Sequence, residues 1–573
     1  MPEKCTADRV SLRPFASIGS RLVLLNPDCD GGEEEGVSRS FAFILVFGSS
    51  TLVGPLGIHA QTKACGDLTK ATLSGAVIDH AEVVAAGSPA MSPNPAMPPL
   101  PANWRLPAYC QVQGSIDSRT GADGAKYAIR FELRLPDPWN GKFLFQGGGG
   151  LDGVVQPAMG LVSFAAPPAL ARGYAVVSTD SGHEGASNSV FGHEQQARLD
   201  YAYNAIGEVA RVAKAILVAY YGKNEEHSYF AGCSNGGREA MIAVQRYPLE
   251  FDGAIAGDPG FNLSHAAIGE AWDTESFAAA APRADDGRPI LSKAFSQSDL
   301  DLVRKAVLDQ CDGLDGLKDG EINNVKACKF DPGDLACSGA KSADCLTKEQ
   351  VEALRRSFGG ARDSSGRQLY ASWPYDTGIA DMGWRMWKIG TSPTSTANAI
   401  NSTLGSLSLK DYFVHPYLAD LDLAHIDFDK IADEVEETHA INDATSTDLG
   451  TFAGRGGRLI LYEGVSDPVF SADDIIDYYD RFSKDGGGTE KAQAIARLFL
   501  IPGMTHCGGG PATDQFDALD ALEQWVEGGK PPASIVASGR AFPNRTRPLC
   551  PYPKYASYKG SGDPEDATSF DCK

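Results

Sequence analysis

Positive charge is scarce in this sequence. Its 51 Lys and Arg stand against 74 Asp and Glu, a formal net charge of −23. With a pI near 4.9, that balance excludes nucleic acid as a partner, because phosphate binding needs a basic face. Long apolar runs are also missing: after residue 60 none reaches the roughly 18 residues a spanning helix needs. No C-x-x-C spacing occurs among the 12 cysteines, which disfavours zinc ribbons and thioredoxin-like redox sites. The 63 Gly and 34 Pro follow no collagen-like period, and no internal repeat is visible. What is present is a globular composition, 43% apolar and 22% charged over 573 residues. The length fits one large α/β domain with an insertion, or roughly three or four smaller domains.

The N-terminal segment reads as a targeting sequence. The apolar stretch from Phe41 to Ile58 follows Arg39 and precedes His59-Ala60-Gln61, the layout of a secretory signal with cleavage after Ala60. A membrane anchor is the alternative, and the Gly, Ser and Pro inside the stretch count against it. Residues 1–40 exceed what a signal needs, and Glu33 to Glu35 are acidic where positive charge is expected, which points to a start near Val37. Residues 1–60 are therefore read as a leader. The mature chain is expected to be periplasmic or secreted, with no membrane attachment after cleavage. Cys5 and Cys29 fall in the leader and leave ten cysteines, an even number that fits an oxidising compartment.

Beyond a Pro-rich stretch at 92–101, short apolar strands end in Gly-rich loops: Ala128–Leu135, Lys142–Gln146, Ala175–Ser178, Ser228–Ala231, Gly253–Ala256, Arg458–Tyr462 and Arg497–Ile501. Helical patterns lie between them, the clearest being Ala205–Tyr221 with apolar residues three and four apart. Alternating β and α segments with apolar strands predict a mostly parallel sheet covered by helices. From about Phe261 the rhythm breaks until Thr451, in a segment holding four cysteines and Trp272, Trp373, Trp384 and Trp387. The expected organisation is a catalytic α/β domain of residues 61–260 and 452–573, with 261–451 inserted as a lid domain.

The chemistry is concentrated at Gly232-Cys233-Ser234-Asn235-Gly236, between an apolar strand and a helical segment. Strand, G-x-S-x-G and helix form a nucleophile elbow, whose glycines admit the strained turn that raises Ser234 Oγ above the sheet. A plain Gly-rich loop is the bland reading. A serine nucleophile needs a base and an orienting acid, which in α/β-hydrolases follow in the order Ser, Asp, His. Asp467, in RLILYEGVSDPVF, and His506, in ARLFLIPGMTHCGG, each follow a late strand. Taken singly, Asp467 also reads as a turn residue before Pro468. If Ser234 and His506 meet, Cys233 and Cys507 come within reach of a disulfide, which weakens the rival reading of Cys233 as a thiol nucleophile. The oxyanion hole needs two backbone N–H groups. Asn235 is expected to give one and the loop Gln146-Gly147-Gly148-Gly149-Gly150 the other, from Gly149 ahead of Gly148. A second motif, Cys311-Asp312-Gly-Leu-Asp315-Gly-Leu317-Lys-Asp319-Gly-Glu321, gathers carboxylates in a Gly-bent loop. Hard oxygens in such a loop suit Ca²⁺, although the spacing is not that of an EF-hand; a solvated acidic turn is the alternative.

From about Cys65 to Cys572 these features together resemble the tannase/feruloyl esterase family, which includes hydrolases of mono(2-hydroxyethyl) terephthalate. The resemblance implies an α/β-hydrolase core with a Ser234–His506–Asp467 triad. It also implies a structural calcium in the lid, on the side chains of Asp312, Asp315 and Asp319 and the carbonyls of Leu317 and Glu321. No organic cofactor is implied. The implied disulfides pair Cys233 with Cys507, Cys65 with Cys110, Cys311 with Cys328, Cys337 with Cys345 and Cys550 with Cys572. Phe470 matches an aromatic position of the family's substrate pocket. Glu463 stands where the terephthalate-monoester hydrolases place a histidine, and is a candidate for the same pocket. Trp384, Trp387, Tyr412 and Phe413 are candidates to stack on an aromatic acid.

The resulting expectation is a serine esterase acting on small aromatic carboxylic esters, feruloyl esters first. Gallate esters and terephthalate monoesters are the alternatives. A calcium-dependent binding protein on a retired hydrolase scaffold is the reading from another class.

Overall fold

Period-two burial decides the sheet. Phe143 and Phe145 face one apolar cluster and Leu144 the other, and Leu459, Leu461 and Ile460 divide in the same way. The computed structural model of the protein describes residues 64–87, 101, 103–186, 188–421 and 425–573. The leader, its cleavage site, Cys5 and Cys29 lie outside the described residues.

The sheet has nine strands: β1 (Ala76–Val84), β2 (Ala108–Thr120), β3 (Lys126–Asp137), β4 (Lys142–Gln146), β5 (Ala175–Thr179), β6 (His227–Cys233), β7 (Gly253–Gly257), β8 (Arg458–Gly464) and β9 (Ala496–Ile501). Their order is β1-β2-β3-β5-β4-β6-β7-β8-β9. From β5 to β9 neighbouring strands run parallel, whereas β1, β2 and β3 add an antiparallel flank. The sheet is therefore mostly parallel, as expected, and longer by β1 and β2. Those two strands alternate polar and apolar residues under one covered face, so they show no apolar run in the sequence. The central strands β5 and β7 are buried at every position.

Helices α1 (Ala205–Tyr221) and α2 (Asn235–Arg246) cover one face. The first ends at Gly222, whose φ of 73° gives the left-handed stop that a Cβ would penalise. Between β7 and β8 the chain leaves the sheet, and residues 258–457 supply none of its strands. This insertion has its own apolar cluster, which includes Phe277, Val303, Leu354 and Trp384. It contains α3 (Leu263–Ala280), α4 (Gln297–Cys311) and α5 (Lys348–Phe358). Capping boxes at Ser296/Asp299 and Thr347/Gln350 start α4 and α5 by satisfying their first N–H groups. After β8, α6 (Ala472–Asp485) returns to the face of α1, and α7 (Ala518–Gly528) closes the other.

Among the described residues five disulfides join Cys65–Cys110, Cys233–Cys507, Cys311–Cys328, Cys337–Cys345 and Cys550–Cys572, the pairs that the resemblance implies. Among the described residues, no helix is long and apolar enough to cross a membrane.

Candidate active site

Ser234 sits on the turn between β6 and α2 with φ 64° and ψ −127°. A non-glycine residue there stores about 1–3 kcal/mol of strain, which the surrounding contacts must hold. The flanking glycines make the turn possible. A Cβ on Gly232 would lie 2.5 Å from the carbonyl carbon of Gly236, and one on Gly236 would lie 2.7 Å from the Gly148 carbonyl oxygen.

Two loops at the ends of β8 and β9 bring the other members in. His506 Nε2 lies 2.8 Å from Ser234 Oγ, and His506 Nδ1 lies 2.7 Å from Asp467 Oδ2. Asp467 uses its second oxygen to accept the N–H groups of Val469 (2.6 Å) and Phe470 (3.1 Å), so its carboxylate cannot swing away from the imidazole. Burial works to lower the His506 pKa. The charge and hydrogen bond of Asp467, with Asp258 behind them, outweigh it and raise the pKa above 6.5. The disulfide Cys233–Cys507 ties the residue before Ser234 to the residue after His506.

Behind this chain stands a carboxyl that no sequence motif marks. Asp258, just past β7, accepts the N–H of Gly464 at 2.6 Å and of Cys507 at 2.8 Å, and so braces the loops bearing Asp467 and His506. Burial and the neighbouring Asp467 push its pKa up to about 8. The signal was its place at the C-terminal end of a parallel strand beside the elbow, where site residues of such sheets gather. Glu463 completes a buried group with Asp258 and Asp467, their oxygens within 4.8 Å of one another. Its position corrects the expectation that it belongs to the substrate pocket. Tyr462 lines the cavity, and the period-two alternation of β8 turns Glu463 the other way.

The proposed oxyanion loop is held from below. Gly148 N–H donates to Glu239 Oε2 (2.8 Å), and Gly147 N–H to the Ala231 carbonyl (2.9 Å). The N–H groups of Gly149 and Asn235 have no acceptor among the described residues, and both residues line the cavity. Asn235 is fixed by its side chain, which donates to Asp152 and accepts from Arg238 Nε at 2.7 Å. Arg238 is itself fully buried and donates to the carbonyls of Ala202, Asn442 and Tyr201. Asp152, Ser181 and Glu239 thus form a hydrogen-bonded support that no motif announced.

Above Ser234 lies a cavity of about 820 Å³. Trp387 and Phe470 meet His506 edge-on, with ring centroids 5.2 and 5.5 Å away. Phe413 also lines the cavity. Trp384 and Tyr412, the other aromatic candidates, do not: Trp384 packs on Phe277, and Tyr412 packs among Phe191 and Tyr201.

The acidic loop stands apart from this cavity. Its donor chemistry suits calcium, and Gly316 and Gly320, with φ of 98° and 90°, provide the bends. As arranged, however, its carboxylates turn to the protein's own donors. Asp312 accepts from Gly320 N (3.0 Å), Asp315 from Asn323 Nδ2 (2.9 Å), and Asp319 pairs with Arg547. Glu321 Oε2 faces Arg545 at 3.3 Å. Among the described residues the groups of three Asp, Glu, His or Cys that converge within 4.8 Å do not include this loop.

Comparison with known proteins gives the family and the fold. A family profile described as "Tannase and feruloyl esterase" matches residues 110–573. Mono(2-hydroxyethyl) terephthalate hydrolase of Piscinibacter sakaiensis is 42% identical over 512 residues, 81% of this chain and 84% of that one. The crystal structure of feruloyl esterase B from Aspergillus oryzae superposes with a TM-score of 0.73 at 26% identity, over 89% of this chain and 99% of that one. Tannin acyl hydrolase from Aspergillus niger gives a TM-score of 0.64, over 87% and 92% of the two chains; at 22% identity it speaks to the fold alone.

Proposed function

The chain belongs to the tannase and feruloyl esterase family of carboxylic ester hydrolases, and we propose that it is a serine esterase for esters of aromatic carboxylic acids, hydroxycinnamoyl (feruloyl) esters first. The observation that carries this reading is the chain of hydrogen bonds Ser234–His506–Asp467 at the floor of a cavity walled by Trp387, Phe413 and Phe470.

In this mechanism His506 Nε2 takes the Ser234 proton as Oγ attacks the ester carbonyl, and Asp467 holds the imidazole tautomer and stabilises the imidazolium. The N–H groups of Asn235 and Gly149 receive the oxyanion. His506 then protonates the departing alcohol, and a water activated by the same nitrogen releases the acid from Ser234. The acidic loop is read as a structural calcium site outside the cavity lining. Asp312, Asp315 and Asp319 would bind by carboxylate and Leu317 and Glu321 by carbonyl, after those carboxylates release their present donors. The disulfides support export to an oxidising compartment, the periplasm or the medium.

Likeness to the terephthalate monoester hydrolase favours a second acyl group for the same machinery. The test is an ester panel of methyl ferulate, methyl gallate and mono(2-hydroxyethyl) terephthalate, run with wild type and Ser234→Ala. Turnover of at least one ester, lost by about 10⁴-fold or more in the variant, is expected. Activity that survives the substitution sinks the assignment of Ser234.

A further inference from the structure

The cavity wall carries one acid that the reaction does not use. Glu270, on α3, is 5% exposed and lines the cavity. Its carboxyl hydrogen-bonds no protein group among the described residues. Among the described residues the cation that acts on it, Lys388, is bound to Asp273 one turn further along α3 in a buried ion pair. The fold leaves a place for this carboxyl, since a side chain at position 405 would collide with Glu270 Oε2 and glycine stands there. Leu404, the preceding residue, packs 3.8 Å from the Cβ position of Gly150 in the oxyanion loop. The departing alcohol must lie on the His506 side to receive its proton, where Trp387 and Phe470 stand. Through Gly405 and Leu404, Glu270 stands on the part of the wall that adjoins the oxyanion loop.

We propose that Glu270 selects the acyl group, exchanging hydrogen bonds with a phenolic hydroxyl on the substrate's aromatic ring. The inference rests on the Ser234 esterase reading and names its substrate class. Burial, with the charges of Asp273 and Asp467 and against that of Lys388, holds the Glu270 pKa well above 4.5, a shift that favours the protonated carboxyl, which can both donate and accept. A phenol has the same double capacity, and an acyl ring without a hydroxyl leaves the buried acid unpaired. The only basic residues lining the cavity, among those described, are His506 and Arg540, so a ring hydroxyl suits the Glu270 end better than a ring carboxylate.

The experiment compares kcat/KM for methyl 4-hydroxycinnamate and methyl cinnamate in wild type, Glu270→Gln and Glu270→Leu. Wild type is expected to favour the hydroxylated ester by about tenfold or more, the discrimination that a site built for a hydroxyl readily reaches. Glu270→Leu brings the ratio close to one. Glu270→Gln, which keeps a donor and an acceptor, retains most of it. Replacing methyl by ethyl in the alcohol is expected to leave the effect of Glu270→Leu unmoved. A ratio that survives in a folded Glu270→Leu, or that follows the alcohol, overturns the inference, as does a terephthalate monoester preferred over both. Should that variant fail to fold, a wild-type ratio of one overturns it by itself. Wild type that turns over no aromatic ester overturns this inference and the esterase reading together, whereas turnover with an unaltered ratio overturns this inference alone.

Discussion

Cys233 and Cys507 are bonded to each other, and each is the chain neighbour of one end of the Ser234–His506 hydrogen bond. The bridge spans 274 residues, a loop for which chain entropy alone gives about 5 kcal/mol of stabilisation. Its position adds a second effect, because it limits how far the β9 loop can carry His506 from the elbow. Replacing both cysteines by Ala is expected to lower the melting temperature. Below that temperature it should reduce kcat more than it raises KM, since the aromatic wall of Trp387, Phe413 and Phe470 is unchanged. A folded double variant with wild-type kcat would show that the bridge serves stability only.

The raised pKa of His506 sets the acid limit of activity. The imidazole must be neutral to take the Ser234 proton, so kcat/KM falls as pH drops through the histidine pKa, and the limb should lie above pH 6.5. Asp467→Asn removes the charge that contributes most to the rise and moves the limb down. It also releases the tautomer, with a loss in kcat of about 10⁴-fold. A limb at or below pH 6.5 in wild type would contradict the electrostatics of the site.

Glu463 predicts a stability effect without an effect on the substrate. Neither of its oxygens finds an N–H or O–H partner among the described residues, and burial beside Asp258, Asp467 and Asp474 holds its pKa well above 4.5. A carboxyl whose pKa is raised by folding contributes stability below its unfolded pKa and loses it as pH climbs through the folded value. Glu463→Gln cannot ionise, and its amide can still donate to Asp258. Its melting temperature should therefore gain on wild type as pH rises, with kcat near neutrality little changed. Parallel melting curves for the two proteins at all pH values would refute this.

The legible parts of the molecule were those where one local rule suffices. Strands buried on both faces announce β4 to β9 as apolar runs, and the elbow around Ser234 is a local requirement of backbone geometry. β1 and β2 were not legible, because half of each strand faces solvent and the alternation leaves no apolar run. The line from Ser234 through His506 to Asp467 could be ordered from strand positions. What stands behind it could not: Asp258, Glu239 and Asp152 act through contacts between distant loops. In the insertion an aromatic residue carries no mark of its role. Trp384 and Trp387, three positions apart, differ because one turns to Phe277 and the other to His506.

Calcium is testable through stability. Asp312 and Asp315 are held above their ordinary pKa by burial, with Asp319 adding its charge, so a cation there relieves a standing cost. An ion at a hundredfold its Kd adds about 2.7 kcal/mol. Calcium should therefore raise the melting temperature of metal-stripped protein, and Asp315→Asn should abolish the gain while the esterase remains active at low temperature. An unmoved melting temperature would favour the loop as it now stands, its carboxylates satisfied by N–H groups and by Arg547.

Two glycines in contact with the same loop separate support from chemistry. A Cβ on Gly149 meets nothing within 4 Å, and its backbone needs no left-handed φ, so Gly149→Ala should fold with unchanged stability. Its methyl group nevertheless enters the cavity beside the N–H proposed to hold the oxyanion, and kcat should fall. Gly236→Ala places its methyl 2.7 Å from the Gly148 oxygen and 3.0 Å from the Gly147 carbonyl carbon, against backbone that Glu239 holds in place. Something must shift, at a cost of about 1–3 kcal/mol for overpacking, and the loop moves with it. Gly236→Ala should therefore lose melting temperature and kcat together, and Gly149→Ala kcat alone. Equal losses of stability in the two variants would mean that Gly149 is packed rather than open. A wild-type kcat in Gly149→Ala would remove that N–H from the oxyanion hole and leave Asn235 to be paired with another donor.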